Sequence, residues 1–464
     1  MRKQAALILA AGKSTRMKSA RSKVLHDLAG RPVLAYPIAA AAGCGAQLVK
    51  VVIAPEQDDV KDYLKSQGVD HVLQREPLGT ANAVVSAERS LKSFDGDVLI
   101  LCGDIPLVRA ASLAEFCSAF RDARATLGVL TMSPEDPGAY GRIVRDLDGR
   151  ITSIVEAKDA SEKELSIREV NSGILLADKG WLFSALKKVK NDNAKGEYYI
   201  TDLVGIALKD GAKVVAHRCS NAEEFHGINT RVDLARAAEI MRERINRDLM
   251  MKGAGLVDYR HTYVDAGVRI GQDSRVLPFT FIQGETRIGK GCTIETGVVI
   301  RNATIGNDVH IKAHSVIEDS TISDGAVLGP FARVRPGSSV GKGARVGNFV
   351  ELKKCTMKKG AKANHLTYLG DAVVGANANI GCGTITCNYD GRAKHTTVIG
   401  DGAFIGSDVQ FVAPVRVGSK AVVGAGSTIT RDVPSGALAI TRVEQKTVRG
   451  YAQRKGRNRR SKSK

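Results

Sequence analysis

The chain has 464 residues, 43% hydrophobic and only 5% aromatic, with 48 glycines and a formal net charge of +19. That length supports two or more domains, and no segment approaches the ~20 consecutive apolar residues of a membrane span. Eight cysteines occur without a C-x-x-C pair or a histidine at zinc-ligand spacing, which excludes a disulfide scaffold or zinc module and points to reduced thiols in the cytoplasm.

Ala5 to Ala11 is a short apolar run that reads as a buried strand, broken by Gly12. Lys13, Ser14, Thr15, Arg16 and Lys23 follow. A loop of this kind brings backbone N–H groups and fixed cations to phosphate oxygens. It is neither a Walker loop nor a G-x-G-x-x-G fingerprint. The run is too short for a signal peptide, and cations follow it at once.

Leu48 to Ala54 and Val98 to Leu101 read as further strands, and Ala81 to Leu91 and Ser112 to Arg121 as helices. This alternation predicts an α/β domain with a mostly parallel sheet, whose ligands lie at the carboxyl ends of the strands. Asp104 sits at such an end, after Cys102-Gly103. It is placed either to hold a divalent ion or to start a turn. Val232 to Leu249 has helical periodicity and mixed charge, and reads as a linker helix.

The second half carries a repeat. Ile270, Val276, Ile282, Ile288, Ile294 and Ile300 are spaced by six. The period resumes at Ile305, Ile311 and Ile317, then from Ile322 to Leu352, and again from Ile399 to Ile429. An apolar period of six is not helical. It predicts a parallel β-helix with one aliphatic residue per face pointing inward. Between Lys353 and Val373 the repeat is expected to stop and a loop to project, carrying Asn364-His365 and Tyr368. The remaining histidines (26, 71, 217, 226, 261, 310, 314, 395) are read as structural or are assigned no role. His310 and His314 lack the flanking pattern of a zinc site. A covalent route through Cys382 or Cys387 is disfavoured, since no His–Cys signature accompanies them.

Seven of the cations fall in the last eleven residues, Arg454 to Lys464, and read as a solvated arm. No basic stripe interleaved with aromatics appears, so the charge points to small anionic substrates and not to a specific nucleic-acid partner.

The run Leu9-Ala10-Ala11-Gly12-Lys13-Ser14-Thr15-Arg16-Met17 with Lys23 resembles the signature of sugar-nucleotide pyrophosphorylases. Arg333-Val-Arg335-Pro-Gly, Asn348-Phe-Val-Glu-Leu-Lys353, Asn364-His365-Leu-Thr-Tyr368 and Asn388-Tyr389-Asp-Gly resemble hexapeptide-repeat acyltransferases. Together, from about residue 5 to 450, they are similar to the bacterial bifunctional N-acetylglucosamine-1-phosphate uridyltransferase and glucosamine-1-phosphate N-acetyltransferase family. The resemblance implies an α/β nucleotidyltransferase domain (1–228), a linker helix (229–250), a left-handed β-helix acetyltransferase domain (251–445) and a basic tail (446–464).

It also implies the chemistry. Glucosamine-1-phosphate would be acetylated from acetyl-CoA, then joined to UMP from UTP. The product, UDP-N-acetylglucosamine, feeds peptidoglycan and lipopolysaccharide synthesis. In the front half Arg16 and Lys23 would stabilise the triphosphate. Leu9, Ala10, Ala11, Gly12, Gln74, Gly79, Thr80, Cys102 and Gly103 would surround the nucleotide, and Gly141, Glu156 and Asn171 the N-acetylglucosamine. Asp104 and Asn229 would hold Mg²⁺. In the back half His365 would be the general base. Arg335, Lys353, Tyr368 and Asn379 would bind the sugar phosphate, and Cys382, Asn388, Tyr389, Ser407, Ala425 and Arg442 would line the acetyl-CoA path. The family assembles as a homotrimer. Ser14, Cys102 and Cys382 depart from the residues usual at their positions, where Gly, a larger side chain and Ala are common.

Overall fold

The computed structural model describes residues 2–193 and 195–454. Of the basic tail, residues 455–464 lie outside the described residues. The chain divides into two compact units, Met1–Arg242 and Glu243–Lys464.

The front unit is built on a sheet in which Val214–Arg218, Leu127–Met132, Val170–Asp178, Asp97–Cys102, Gln4–Leu9, Leu48–Ile53 and Asp70–Leu73 lie side by side in that order. All run parallel except Val170–Asp178, which is antiparallel to both its neighbours. Gln4–Leu9 is central, and Ala5 to Ile8 are fully buried. Helices cover both faces, so this strand is apolar without a break from Ala5 onward. Ala6 and Ile8 join a core with residues of the helices Ala35–Gly43, Asp58–Ser66 and Ala110–Asp122. Ala5 and Leu7 point the other way, into a core with Thr80–Val85, Lys179–Leu186 and Leu203–Lys209. The helix expected over Ala81 to Leu91 is shorter. It ends at Val85, and a separate 3₁₀ turn spans Glu88–Leu91. The β-branched pair Val84-Val85 followed by Ser86 is a weak helix interior.

Arg231–Met251 forms one helix. Its start is fixed by a capping box. Asp233 Oδ2 accepts from the backbone N–H groups of Asn229 (3.0 Å) and Thr230 (2.8 Å), and Thr230 Oγ1 accepts from Asp233 N–H (3.2 Å).

The second unit is a left-handed parallel β-helix of hexapeptide repeats. Its short strands form three faces. On one, Ile270, Ile288, Ile305, Ile322, Val340, Met357, Val374, Ile399 and Val417 pair in successive coils. Every aliphatic position of the repeat is buried in a single continuous core.

The expected loop between Lys353 and Val373 is not there. Arg345–Lys353 and Lys362–Gly370 are nine-residue strands paired in register, and Met357, Ala363, Leu369 and Val374 continue the inward column. Cβ-bearing but non-aliphatic or atypical core residues, Met357 and Ala363, hide the period from a search for Ile, Leu and Val. The interruption lies later. The inward positions on one face step from Val374 to Ile399, and the surplus is a hairpin closed by an antiparallel bridge between Tyr389 and Lys394.

Candidate active sites

The first site lies at the carboxyl edge of the front sheet. There Lys23 Nζ forms an ion pair with Asp104, and it donates to Asn229 Oδ1 at 3.1 Å. Arg16 Nη2 donates to the same oxygen at 2.8 Å. Ile228 N–H donates to Asp104 C=O (2.8 Å), which brings the turn before the helix Arg231–Met251 onto the end of strand Asp97–Cys102. Four residues from three distant parts of the chain thus converge on one point. Asp104 and Asn229 both direct an oxygen at one ammonium, so they are close enough to share one cation. Hard oxygen donors in this number suit Mg²⁺, which takes few protein ligands and completes its shell with water and phosphate. No cluster of three or more His, Cys, Asp or Glu that could hold a metal ion exists among the described residues.

Ala10, Ala11 and Gly12 leave strand Gln4–Leu9 at the same edge. The loop they start walls a cleft of 370 Å³ with residues 54, 56, 57 and 59. Gln74 follows strand Asp70–Leu73 and is buried. Its Nε2 donates to Gly79 C=O (3.2 Å) and Asn82 Oδ1 (2.9 Å). Gly79 has φ +114°, and a Cβ there would lie 2.6 Å from Tyr198 O, so only glycine permits the approach. Thr80 Oγ1 accepts from Ile200 N–H (3.1 Å).

Gly141, Glu156 and Asn171 form a second part of the same edge. Asn171 N–H donates to Gly141 C=O at 2.8 Å, and Thr201 Oγ1 donates to Glu156 Oε1 at 3.3 Å. Burial pushes the Glu156 carboxyl above its ordinary range, against the Thr201 bond. Cys102 packs on Gly173, where strand Val170–Asp178 bulges after Asn171. Burial, with the Asp104 charge beside it, pushes the Cys102 thiol up to about 12, so it is a packing residue and not a nucleophile. Gly103 N–H donates to Leu9 C=O (2.8 Å).

The second site runs over the β-helix surface. His365 lies in the strand Lys362–Gly370 and is exposed, and its Nδ1 is 2.9 Å from Asn348 Oδ1, its register partner. Coil by coil along one corner, Gly383 N–H donates to Leu366 C=O, Asp408 N–H to Cys382 C=O, and Gly426 N–H to Ser407 C=O. Arg442 Nη1 donates to Ala425 C=O at 3.2 Å. His365, Cys382, Ser407, Ala425 and Arg442 therefore share one column. Asn379 lies on the preceding face, in register with Lys362.

A cationic group occupies the other end of the long strand. Lys353 pairs with Gly370, five residues beyond His365 and past the bend at Leu366, where φ is +44°. Contact with the Lys394 amine, and then its repulsion, hold the Lys353 ammonium below its ordinary value, with Arg335 adding to this. Arg335 Nη1 donates to Glu351 Oε1 at 2.8 Å, and Glu351 is the register partner of Tyr368. A Cβ on Gly370 would clash with the Tyr368 hydroxyl and the Asn388 amide, which places those two groups together. Tyr389 turns back into its own hairpin, its hydroxyl donating to Gly391 C=O (2.7 Å). Lys394, Glu351 and Asn348 carry no assignment from sequence. Lys394 lies in the hairpin that breaks the period, and the other two lie in the run Asn348 to Lys353, where only register reveals their partners.

The comparisons with known proteins agree with this division. A MobA-like NTP transferase domain matches residues 6–165, a GMPPB C-terminal domain residues 259–338, and a bacterial transferase hexapeptide domain of six repeats residues 396–431. Full-length relatives include the bifunctional protein GlmU of Pelobacter propionicus, 50% identical over 97% of this chain and 98% of that one. Those of Geobacter sulfurreducens (97% and 98% covered) and Trichlorobacter lovleyi (98% and 99%) are each 48% identical. The chain belongs to the GlmU family. It is a bifunctional enzyme of UDP-N-acetylglucosamine synthesis, with a nucleotidyltransferase domain in front and an acetyltransferase hexapeptide domain behind. No helix among the described residues is long and apolar enough to cross a membrane.

Proposed function

We propose that the two sites divide the chemistry as follows. At the front, the phosphate of N-acetylglucosamine-1-phosphate attacks the α-phosphorus of UTP. The bond to the β-phosphate breaks and pyrophosphate leaves. Arg16 and Lys23 neutralise the triphosphate, and catalysis is positioning plus charge stabilisation. Leu9 to Gly12 with Gln74, Gly79, Thr80, Cys102 and Gly103 hold the nucleotide. Gly141, Glu156 and Asn171 hold the acetylated sugar. Asp104 and Asn229 hold Mg²⁺, which when bound neutralises phosphate charge. The observation that carries this reading is the convergence of Arg16, Lys23, Asp104 and Asn229 on one point.

At the back, the neutral amine of glucosamine-1-phosphate attacks the acetyl-CoA carbonyl. His365 Nε2 takes the amine proton, the C–S bond breaks, and the CoA thiolate leaves and is protonated. Arg335, Lys353 and Lys394 hold the phosphate, because cations kept together are stabilised by an anion. Tyr368 and Asn379 orient the sugar. Cys382, Asn388, Tyr389, Ser407, Ala425 and Arg442 flank the acetyl-CoA.

The enzyme works as a homotrimer in the cytoplasm. The β-helix supports this with an exposed apolar ladder. His314, Phe331 and Phe349 stack at centroid spacings of 5.2 and 5.3 Å, with both phenylalanines about half exposed. A surface of this kind is normally covered by a partner, here a second copy. The test is incubation with glucosamine-1-phosphate, acetyl-CoA, UTP and Mg²⁺, with mass detection of UDP-N-acetylglucosamine. Omission of UTP should stop the reaction at the acetylated sugar phosphate, and omission of acetyl-CoA should stop it altogether.

A further inference from the structure

The loop from Ala10 to Lys23 makes few bonds to itself that would fix its shape. Two 3₁₀ turns, Thr15–Met17 and Lys23–Leu25, are its only regular structure, and Lys18 has φ +47°. Further bonds come from outside it. Gln57, in the connection after strand Leu48–Ile53, is half-buried beneath it. Gln57 Nε2 donates to Ala10 C=O at 3.1 Å and to Ser22 Oγ at 3.4 Å. Its Oε1 accepts from Ala54 N–H at 2.8 Å, which fixes the amide's orientation. One side chain thus holds the first and the penultimate residues of the loop together, and it is itself anchored to the sheet. Asp59 adds a bond from Ser22 N–H (3.3 Å). Within the loop, Ser14 Oγ accepts from Lys23 N–H at 2.8 Å.

We propose that Gln57 is a positioning residue for uridyl transfer: it clamps both ends of the loop so that Arg16 and Lys23 are presented together to the triphosphate. This rests on the reading of Arg16 and Lys23 as triphosphate ligands. Gln57 touches no reacting atom. It sets the fraction of molecules whose loop is ready to bind, and apparent affinity scales with that fraction. Ser14 tightens the same loop at Lys23, a role that glycine at this position could not supply.

The experiment is a double-mutant cycle on the full chain with Gln57→Ala and Lys23→Ala, measured as uridyl transfer. Gln57→Ala should raise KM for UTP about tenfold and leave kcat within about twofold, as loss of hydrogen bonds acting on binding alone requires. Gln57→Glu should raise KM for UTP as well, because it keeps the acceptor for Ala54 and loses the donor to Ala10 and Ser22. It serves where Gln57→Ala fails to fold. Added to Lys23→Ala, the Gln57 change should have a smaller effect than in the parent, because Arg16 alone then remains for the clamp to present. An unchanged KM in both Gln57 variants, or a fall in kcat with KM unmoved, overturns the clamp. Full additivity in the cycle also overturns it. If Lys23→Ala itself leaves uridyl transfer intact, the ligand reading fails instead, and the two failures are told apart.

Discussion

Asn348 Oδ1 accepts a hydrogen bond from His365 Nδ1 at 2.9 Å across two paired strands. A carbonyl oxygen only accepts, so Nδ1 carries the hydrogen and Nε2 keeps its lone pair. The imidazole is held as the tautomer a general base needs. His365→Ala should lower acetyl transfer ~10²–10⁴-fold and leave uridyl transfer unchanged. Asn348→Ala should lower acetyl transfer by about tenfold, because the ring loses its orientation. Asn348→Asp keeps an oxygen acceptor for the Nδ1–H group and should cost less than Asn348→Ala. The check is kcat/KM against pH for both reactions in all three variants.

Metal removal should separate the two activities. Asp104 and Asn229 both address one cation in the front unit, and the His365 site has no metal-ligand cluster among the described residues. EDTA, or Asp104→Ala, should abolish UDP-sugar formation. Acetylation, followed by release of free CoA thiol, should continue. Equal loss of both reactions would refute the division.

Much of this architecture was legible in the chain. The run before Gly12 is apolar at every position because the strand is covered on both faces, and the aliphatic period of six is the inward column of the β-helix. The expected break at 353–373 failed for a physical reason. A β-helix core accepts Met357, Ala363 and Thr386 where the pattern calls for Ile or Val, so a lapse in composition resembles a lapse in structure. The true insertion, around Asn388 to His395, was hidden by the motif read there as a binding element. Gln57 was not legible at all, and Asn348 only as part of a motif, because their partners are set by loop packing and register, to which spacing in one chain is blind.

Glu156 gives a pH test with a definite sign. Burial raises its folded-state pKa above the ordinary value of 4.5. The folded protein therefore holds the proton more tightly than the unfolded chain. This stabilisation is fully present below the ordinary value and is lost as pH rises through the raised one. Glu156→Gln removes the ionisation. Its thermal midpoint should match the parent's near pH 4 and exceed it near pH 8, while KM for N-acetylglucosamine-1-phosphate rises through loss of a sugar contact. Thermal unfolding at the two pH values, followed with a probe of the front unit, checks this. A variant less stable than the parent at pH 8 would contradict it.

The final prediction concerns where the chain can be cut. A boundary at residue 228 would remove Asn229, which binds Arg16 and Lys23, and the capping box that fixes it. The compact units instead divide within the helix, between Arg242 and Glu243. Ala237 and Met241 are buried on one side of that point. On the other, Leu249 joins the β-helix core, and Asn246 Nδ2 donates to Tyr259 C=O (2.7 Å) and Thr262 C=O (2.8 Å). The β-helix has one continuous core, and the front unit has its own two core layers, one on each face of its sheet. Residues 1–242 should fold as a monomer and make UDP-N-acetylglucosamine from supplied N-acetylglucosamine-1-phosphate and UTP. Residues 1–228 should fold less stably and lose most of that activity. Residues 243–464 should sediment as a trimer and acetylate glucosamine-1-phosphate, because the aliphatic core and the exposed aromatic ladder both lie within them. Sedimentation of the three fragments with the two assays decides the matter. A trimeric 1–242 fragment, or equal activity in 1–228 and 1–242, would refute this placement of the boundary.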